Sequence, residues 1–231
     1  RYAESGRQVT YASEDEAKTV SGANEEGTAL GAGLSDEAEA RVIGQFMSTY
    51  IIAEKGEVLL VIDQHVAHER ILVDRFLESL AAGKVMGQNL LLPLTVELMP
   101  AEAAVLKEEG ESLAELGFDA EPFGGRSAII RSVPVTGGSQ PGAEELLVTA
   151  LRDLAEGKLA PADRGARVIR AASEMACKGA VKAGMPLNLD QMSDIVERLF
   201  SSTNPYRCPH GRPIILTVDL AGIERGVGRR K

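Results

Sequence analysis

Val58-Leu59-Leu60-Val61-Ile62-Asp63-Gln64-His65-Val66-Ala67-His68-Glu69 is the stretch on which the fold reading turns. The apolar run over 58–62 has no polar alternation. It therefore predicts a strand buried on both faces. The run passes straight into Asp63. From Val66 to about Ala82 the pattern becomes helical, with Leu72, Phe76 and Leu80 on one stripe. A strand-to-helix corner is a rigid scaffold edge, a common place for ligand-binding and catalytic side chains.

Working outward, residues 42–53 are rich in Val, Ile and Tyr, and Lys55-Gly56 separates them from 57–62. That predicts a β-hairpin. Further on, strands are expected at Leu94–Leu98, Ser127–Val135 and Pro213–Val218. Helices are expected at Ala101–Leu116, Glu144–Glu156, Ala166–Ala183 and Leu220–Val227. Asn188 and Gln191 form a capping box for another helix, ending at Phe200. The order β-β-α, then an α/β block, then α-α-β-α predicts an α+β fold with an insertion. One subdomain, with a mixed sheet and helices, would take residues 41–84 and 163–231. An external α/β lobe would take 85–162. Residues 1–40 carry no Ile, Phe or Met and are rich in Glu, Ser, Gly and Ala. They read as a disordered acidic linker, with a short helix at 15–20 as the alternative.

The chain has 231 residues, of which 44% are hydrophobic, enough for a real core. Two cysteines do not suggest a disulfide framework, so a reducing, cytoplasmic setting is expected. No apolar run reaches the ~18 residues of a membrane span, and no secretory signal opens the chain. Because the first residue is Arg, a fragment or processed product is expected. The net charge of −9 argues against a broad electrostatic grip on nucleic acid. The acidity is concentrated in residues 1–40, and the basic end, Arg225 to Lys231, leaves room for a local cationic patch.

All Cys and His residues lie in three short segments: Asp63 to Glu69 with His65 and His68, Ala176-Cys177-Lys178, and Cys208-Pro209-His210-Gly211-Arg212-Pro213. Imidazole and thiolate favour zinc-like metals. His65 and Glu69, four apart, share a helix face if the helix starts near 65. Glu69, Cys208 and His210 would make a mixed zinc environment, with Asp63, His65 and Cys177 lining an adjacent position. Two metals about 4 Å apart suit phosphodiester hydrolysis. Blander readings stand beside these. Cys177 on an apolar helix face reads, taken alone, as a small core residue. His68 reads as a solvated helix residue, and Arg212 reads equally well as a cap on backbone carbonyls or as a phosphate contact.

The three segments carry a resemblance. Over about residues 41–231 the chain resembles the C-terminal region of MutL, the DNA mismatch-repair family. Gly44 to Ala53 looks like that region's first strand. Asp63-Gln64-His65-Val66-Ala67-His68-Glu69-Arg70 is similar to its endonuclease motif, Ala176-Cys177-Lys178 to its second motif, and Cys208–Pro213 to its third. The resemblance implies a homodimer that nicks DNA. Its family ligands fall on Asp63, His65, Glu69, Cys177, Cys208 and His210, with Asp63, His65 and Glu69 catalytic. It implies Zn2+ in a structural or regulatory role and Mn2+ or Mg2+ in catalysis. It also implies an ATP-binding GHKL-type domain ahead of the linker, and DNA, a replication sliding clamp and the mismatch-recognition protein MutS as partners. Three departures from the family pattern stand out: Val66 for Ala, Asp74 for Glu, and Gly226-Val227 for a bulky pair near the end.

Gln88-Asn89-Leu90-Leu91-Leu92-Pro93 fits Q-x-x-L-x-P, similar to sliding-clamp-binding peptides. Gln88, Leu91 and Pro93 would make that contact. The other reading buries Leu90–Leu92 at the start of a strand. For the whole chain, two further functions stay open. One is a non-catalytic dimerisation and partner-binding module with a structural zinc. The other is an unrelated metallohydrolase.

Overall fold

The structure is a computed structural model that describes residues 39–83, 85–136, 141–156, 164–208 and 211–229. The acidic linker, apart from residues 39–40, and His210 lie outside the described residues. So do the expected boundaries at 84 and 162.

The chain opens with three antiparallel strands, β1 (Arg41–Phe46), β2 (Tyr50–Lys55) and β3 (Val58–Asp63). The single strand expected over 42–53 is two. Met47 and Ser48 adopt positive φ (53° and 48°) and turn the chain between them. The turn carries no Gly or Asn, so periodicity ran through it unmarked. β3 alternates fully and partly buried residues. The strand expected to be buried on both faces is thus fully buried on one, through Val58, Leu60 and Ile62, and only partly on the other. It pairs with β2 on one edge and β7 (Ile215–Asp219) on the other, giving sheet order β1-β2-β3-β7. Every pairing is antiparallel, so the sheet expected to be mixed is uniform. The cause is that β7 returns beside β3 in the opposite direction.

α1 (Gln64–Ala81) leaves β3 directly, and Asp63 is its N-cap: Oδ1 accepts from the His65 and Val66 amides. A second antiparallel sheet, order β4-β6-β5, follows: β4 (Gly87–Glu97), β5 (Asp119–Pro122) and β6 (Ser127–Pro134). The block read as α/β is therefore also antiparallel in its sheet. Between β4 and β5, the single helix expected at Ala101–Leu116 is split into α2 (Pro100–Glu108) and α3 (Gly110–Glu115). The break falls at Glu109-Gly110, where glycine lowers helix preference. α4 (Ala143–Glu156) and α5 (Arg164–Lys178) come next. α6 (Leu189–Phe200) starts at the Asn188/Gln191 capping box. α7 (Leu220–Gly226) follows β7. The fold is α+β.

Two hydrophobic clusters hold it together. One joins β1–β3, Ile214 and Ile215, the start of α1 and one face of α6. The other joins β4, β6, α2–α5 and the later part of α1. α1 thus passes from one core into the other, Ile71 in the first and Leu72, Val73 and Phe76 in the second. Burying such residues contributes roughly 1.5–3 kcal/mol each, so α1 ties the two cores firmly. Among the described residues no helix is long and apolar enough to cross a membrane.

Candidate metal centre

The strand-to-helix corner is fixed from several directions. Asp63 donates its backbone N–H to Ile214 O at 3.0 Å, and Gln64 N–H donates to Thr49 O at 3.1 Å. The Gln64 side chain is fully buried. Its Nε2 donates to the carbonyls of Ser48, Lys182 and Met185, each at 3.0 Å. Gln45 Nε2 also donates to Met185 O, and Leu187 N–H donates to Gln45 Oε1. The segment 181–187, between α5 and α6, is therefore strapped across the start of α1.

Two imidazoles hold the same strap. His65 Nδ1 lies 2.7 Å from Val181 O, which makes Nδ1–H the donor and, in the neutral ring, puts the lone pair on Nε2. His68 Nδ1 accepts from Val181 N–H at 2.9 Å. The reading of His68 as a solvated residue is thus corrected: it is half-buried and bonded, and burial pushes its pKa below the ordinary value.

A cavity of about 330 Å³ opens beside this corner, lined by His65, Glu69, Glu174, Cys177, Lys178, Lys182 and Arg212. Residues from all three Cys/His segments therefore meet at one place. His65 Nε2 is 3.3 Å from Glu69 Oε1, on one helix face as their spacing requires. Cys177 comes from the last turn of α5. Burial pushes its thiol up to about 12, with the charges of Glu69, Glu174 and Cys208 acting the same way. Lys178, Lys182 and Arg212 add three cations to the cavity wall.

Two candidates do not line the cavity. Asp63 uses Oδ1 as the helix cap, leaving Oδ2 outside both bonds. Cys208 is buried in the first core, and its Sγ accepts from Arg212 N–H at 3.2 Å. A reciprocal bond, Cys208 N–H to Arg212 O at 2.9 Å, closes the loop. Arg212 thus reaches the cavity while its backbone shapes the thiol's surroundings. His210 lies outside the described residues. Among those described, no three His, Cys, Asp or Glu side chains form a ready-made metal-holding group.

Asp74 has a different task. It pairs with Arg70 and accepts from Thr203 N–H and Oγ1, both at 3.0 Å, tying α1 to the turn after α6. Gln64, His68 and Asp74 are the residues that sequence reasoning undervalued. Only the hydrogen-bonding character of Gln64, inside an otherwise apolar corner, hinted at a buried clamp.

Away from the cavity, β4 has a register shift. Gln88 pairs with Val133 and Asn89 with Ser132, and pairing resumes only at Leu94 with Ile130. Leu91 is 104% exposed and Leu92 80%. The alternative that buried Leu90–Leu92 is overturned for Leu91 and Leu92, which the shift swings out of the sheet, whereas Leu90 is partly buried and packs against the second core.

A family model described as the MutL C terminal dimerisation domain matches residues 43–187. The chain is similar to proteins named DNA mismatch repair protein MutL in several organisms. The one from Heliobacterium modesticaldum is 42% identical over 197 residues, 82% of this chain and 28% of that protein. The one from Halothermothrix orenii is 40% identical over 194 residues, covering 82% and 29%. The one from Methanothrix thermoacetophila is 36% identical over 190 residues, covering 82% and 33%. The chain thus spans about a third or less of the length of these relatives. With the family model and these identities over most of its length, the chain belongs to the MutL family and carries its C-terminal dimerisation domain.

Proposed function

We propose that this chain is the metal-dependent DNA-nicking part of a mismatch-repair protein, working as a homodimer. The observation that carries the reading is the shared cavity: His65 and Glu69, Cys177, and Arg212, from three distant segments, converge on one opening.

The donor set fits divalent metals. A ligating histidine ordinarily donates its other ring N–H to a carbonyl, and His65 does this with Val181 O. Glu69 supplies carboxylate beside it, and Asp63 Oδ2 stands at the head of the same helix turn. Cys177, Cys208 and, by motif, His210 add soft ligands suited to Zn2+. Mn2+ or Mg2+ on the carboxylate side would supply Lewis-acid activation of water and of the scissile phosphate.

The chain's own residues do the rest. Arg212, Lys178 and Lys182 draw a phosphodiester to a cavity that the net charge would otherwise repel. Glu69 Oε1, 3.3 Å from His65 Nε2, stands at the same opening and is placed to accept a proton from an approaching water. The exposed Ile43, Phe46 and Met47 of the first hairpin and Leu216 of β7 offer an apolar surface to the second protomer. The exposed Gln88–Pro93 segment supplies a sliding-clamp contact that brings the nuclease to DNA. MutS is the expected upstream partner.

A second reading is a binding module with only a structural zinc, which the burial of Cys208 favours. A supercoiled-plasmid assay with manganese, with and without clamp, separates the two. Relaxed circles support the nuclease. Plasmid left supercoiled under every condition, by a chain that still binds zinc, supports the module instead.

A further inference from the structure

The strap at Val181 is gripped by two imidazoles, and only one of them faces the cavity. His65 Nδ1–H donates to Val181 O at 2.7 Å, and His68 Nδ1 accepts from Val181 N–H at 2.9 Å. His65 lines the cavity, whereas His68 does not. The two rings are three residues apart on α1, nearly one helical turn, so they straddle a single residue of the strap.

We propose that His68 is a positioning residue: by pinning the Val181 amide it holds the Val181 carbonyl against His65, and so fixes which nitrogen of His65 faces the cavity. A free neutral imidazole exchanges between two tautomers, and the hydrogen bond made by one nitrogen selects the state of the other. Here the Val181 carbonyl does the selecting. That carbonyl is useful only if the strap keeps its height along α1. Gln64 holds the strap one and four residues further on, at Lys182 O and Met185 O. His68 holds it at Val181 itself. The bond needs an acceptor at the δ position, which asparagine can supply and leucine cannot.

The inference rests on the reading of His65 as a metal ligand, and its test separates the two. The ring nitrogens of His65 are read by 15N NMR in the metal-free chain at about pH 8, above the ordinary imidazole range. Wild type and His68→Asn should both show His65 as the Nδ1–H tautomer, with the Val181 amide protected from exchange. His68→Leu should let His65 relax toward a tautomer mixture and should weaken zinc binding about tenfold, the scale of a lost outer-shell partner. His68→Asn should restore both. A His65 tautomer unchanged in His68→Leu, whatever its melting temperature, overturns the proposal. So does a His68→Asn chain that loses the tautomer, an outcome that remains readable even if the leucine variant does not fold. If wild type shows the fixed tautomer but never nicks DNA, the nuclease reading falls and the positioning role stands.

Discussion

Two short motifs of this chain have opposite physical characters. The corner at Asp63–Glu69 is built into the core, with Gln64 fully buried, Asp63 capping a helix and both histidines bonded to a neighbouring strap. The segment Gln88–Pro93 stays paired only through Asn89 and then leaves the ladder at a register shift, with Leu91 fully in solvent. The contrast teaches that a motif can be kept for what it holds in place or for what it offers outward. The first kind fails by unfolding as well as by loss of chemistry. The second fails only when its partner is present.

Gln64→Leu is the hardest blow to the corner. It keeps roughly the same volume but leaves the carbonyls of Ser48 and Lys182 without the Gln64 donor and Met185 O with Gln45 alone. The expected cost is about 3 kcal/mol, read as a lower denaturant midpoint with an unchanged slope. A cost under about 1 kcal/mol would mean that the corner is not so tightly determined. Asp74→Ala comes next. It strips the partly buried Arg70 of its carboxylate and Thr203 of its acceptor, for about 2 kcal/mol by the same measurement. Stability close to wild type would show that solvent replaces the pair.

Asp63→Asn sharpens the comparison differently. Asparagine caps a helix about as well as aspartate, so stability should stay within about 0.5 kcal/mol. Nicking of plasmid should nonetheless vanish, because the charge near the cavity is gone. Retained nicking would remove Asp63 from the chemistry. The smallest effect on stability is expected outside the core: Gln88→Ala with Leu91→Ala should melt within about 0.5 kcal/mol of wild type. Clamp binding, roughly micromolar for so short a segment, should be lost while metal binding is kept. A large drop in melting, or clamp binding left as it was, would remove the motif.

The parts legible in the sequence were those with strong periodicity or strong end signals. β3, α1 and α6 follow from the apolar run, the Leu72/Phe76/Leu80 stripe and the Asn188 cap. The Met47-Ser48 turn was hidden because neither residue advertises positive φ. β5 was missed because Asp119–Pro122 is short and mostly exposed, with no apolar alternation. Cys and His composition pointed to the segments that meet at the cavity. Composition could not show that Cys208 would sit in the core, nor that the α5–α6 strap would cross α1. Those facts depend on contacts between positions more than 100 apart in the chain, such as Gln64 with Lys182.

The central claim, one metal centre assembled from three segments, is tested most directly by metal content. Elemental analysis after dialysis against trace zinc should find the metal bound to the wild-type chain. The same analysis on the Cys208→Ser/His210→Ala double variant, checked to be folded, should find it largely lost. Equal zinc in the two proteins would contradict the account.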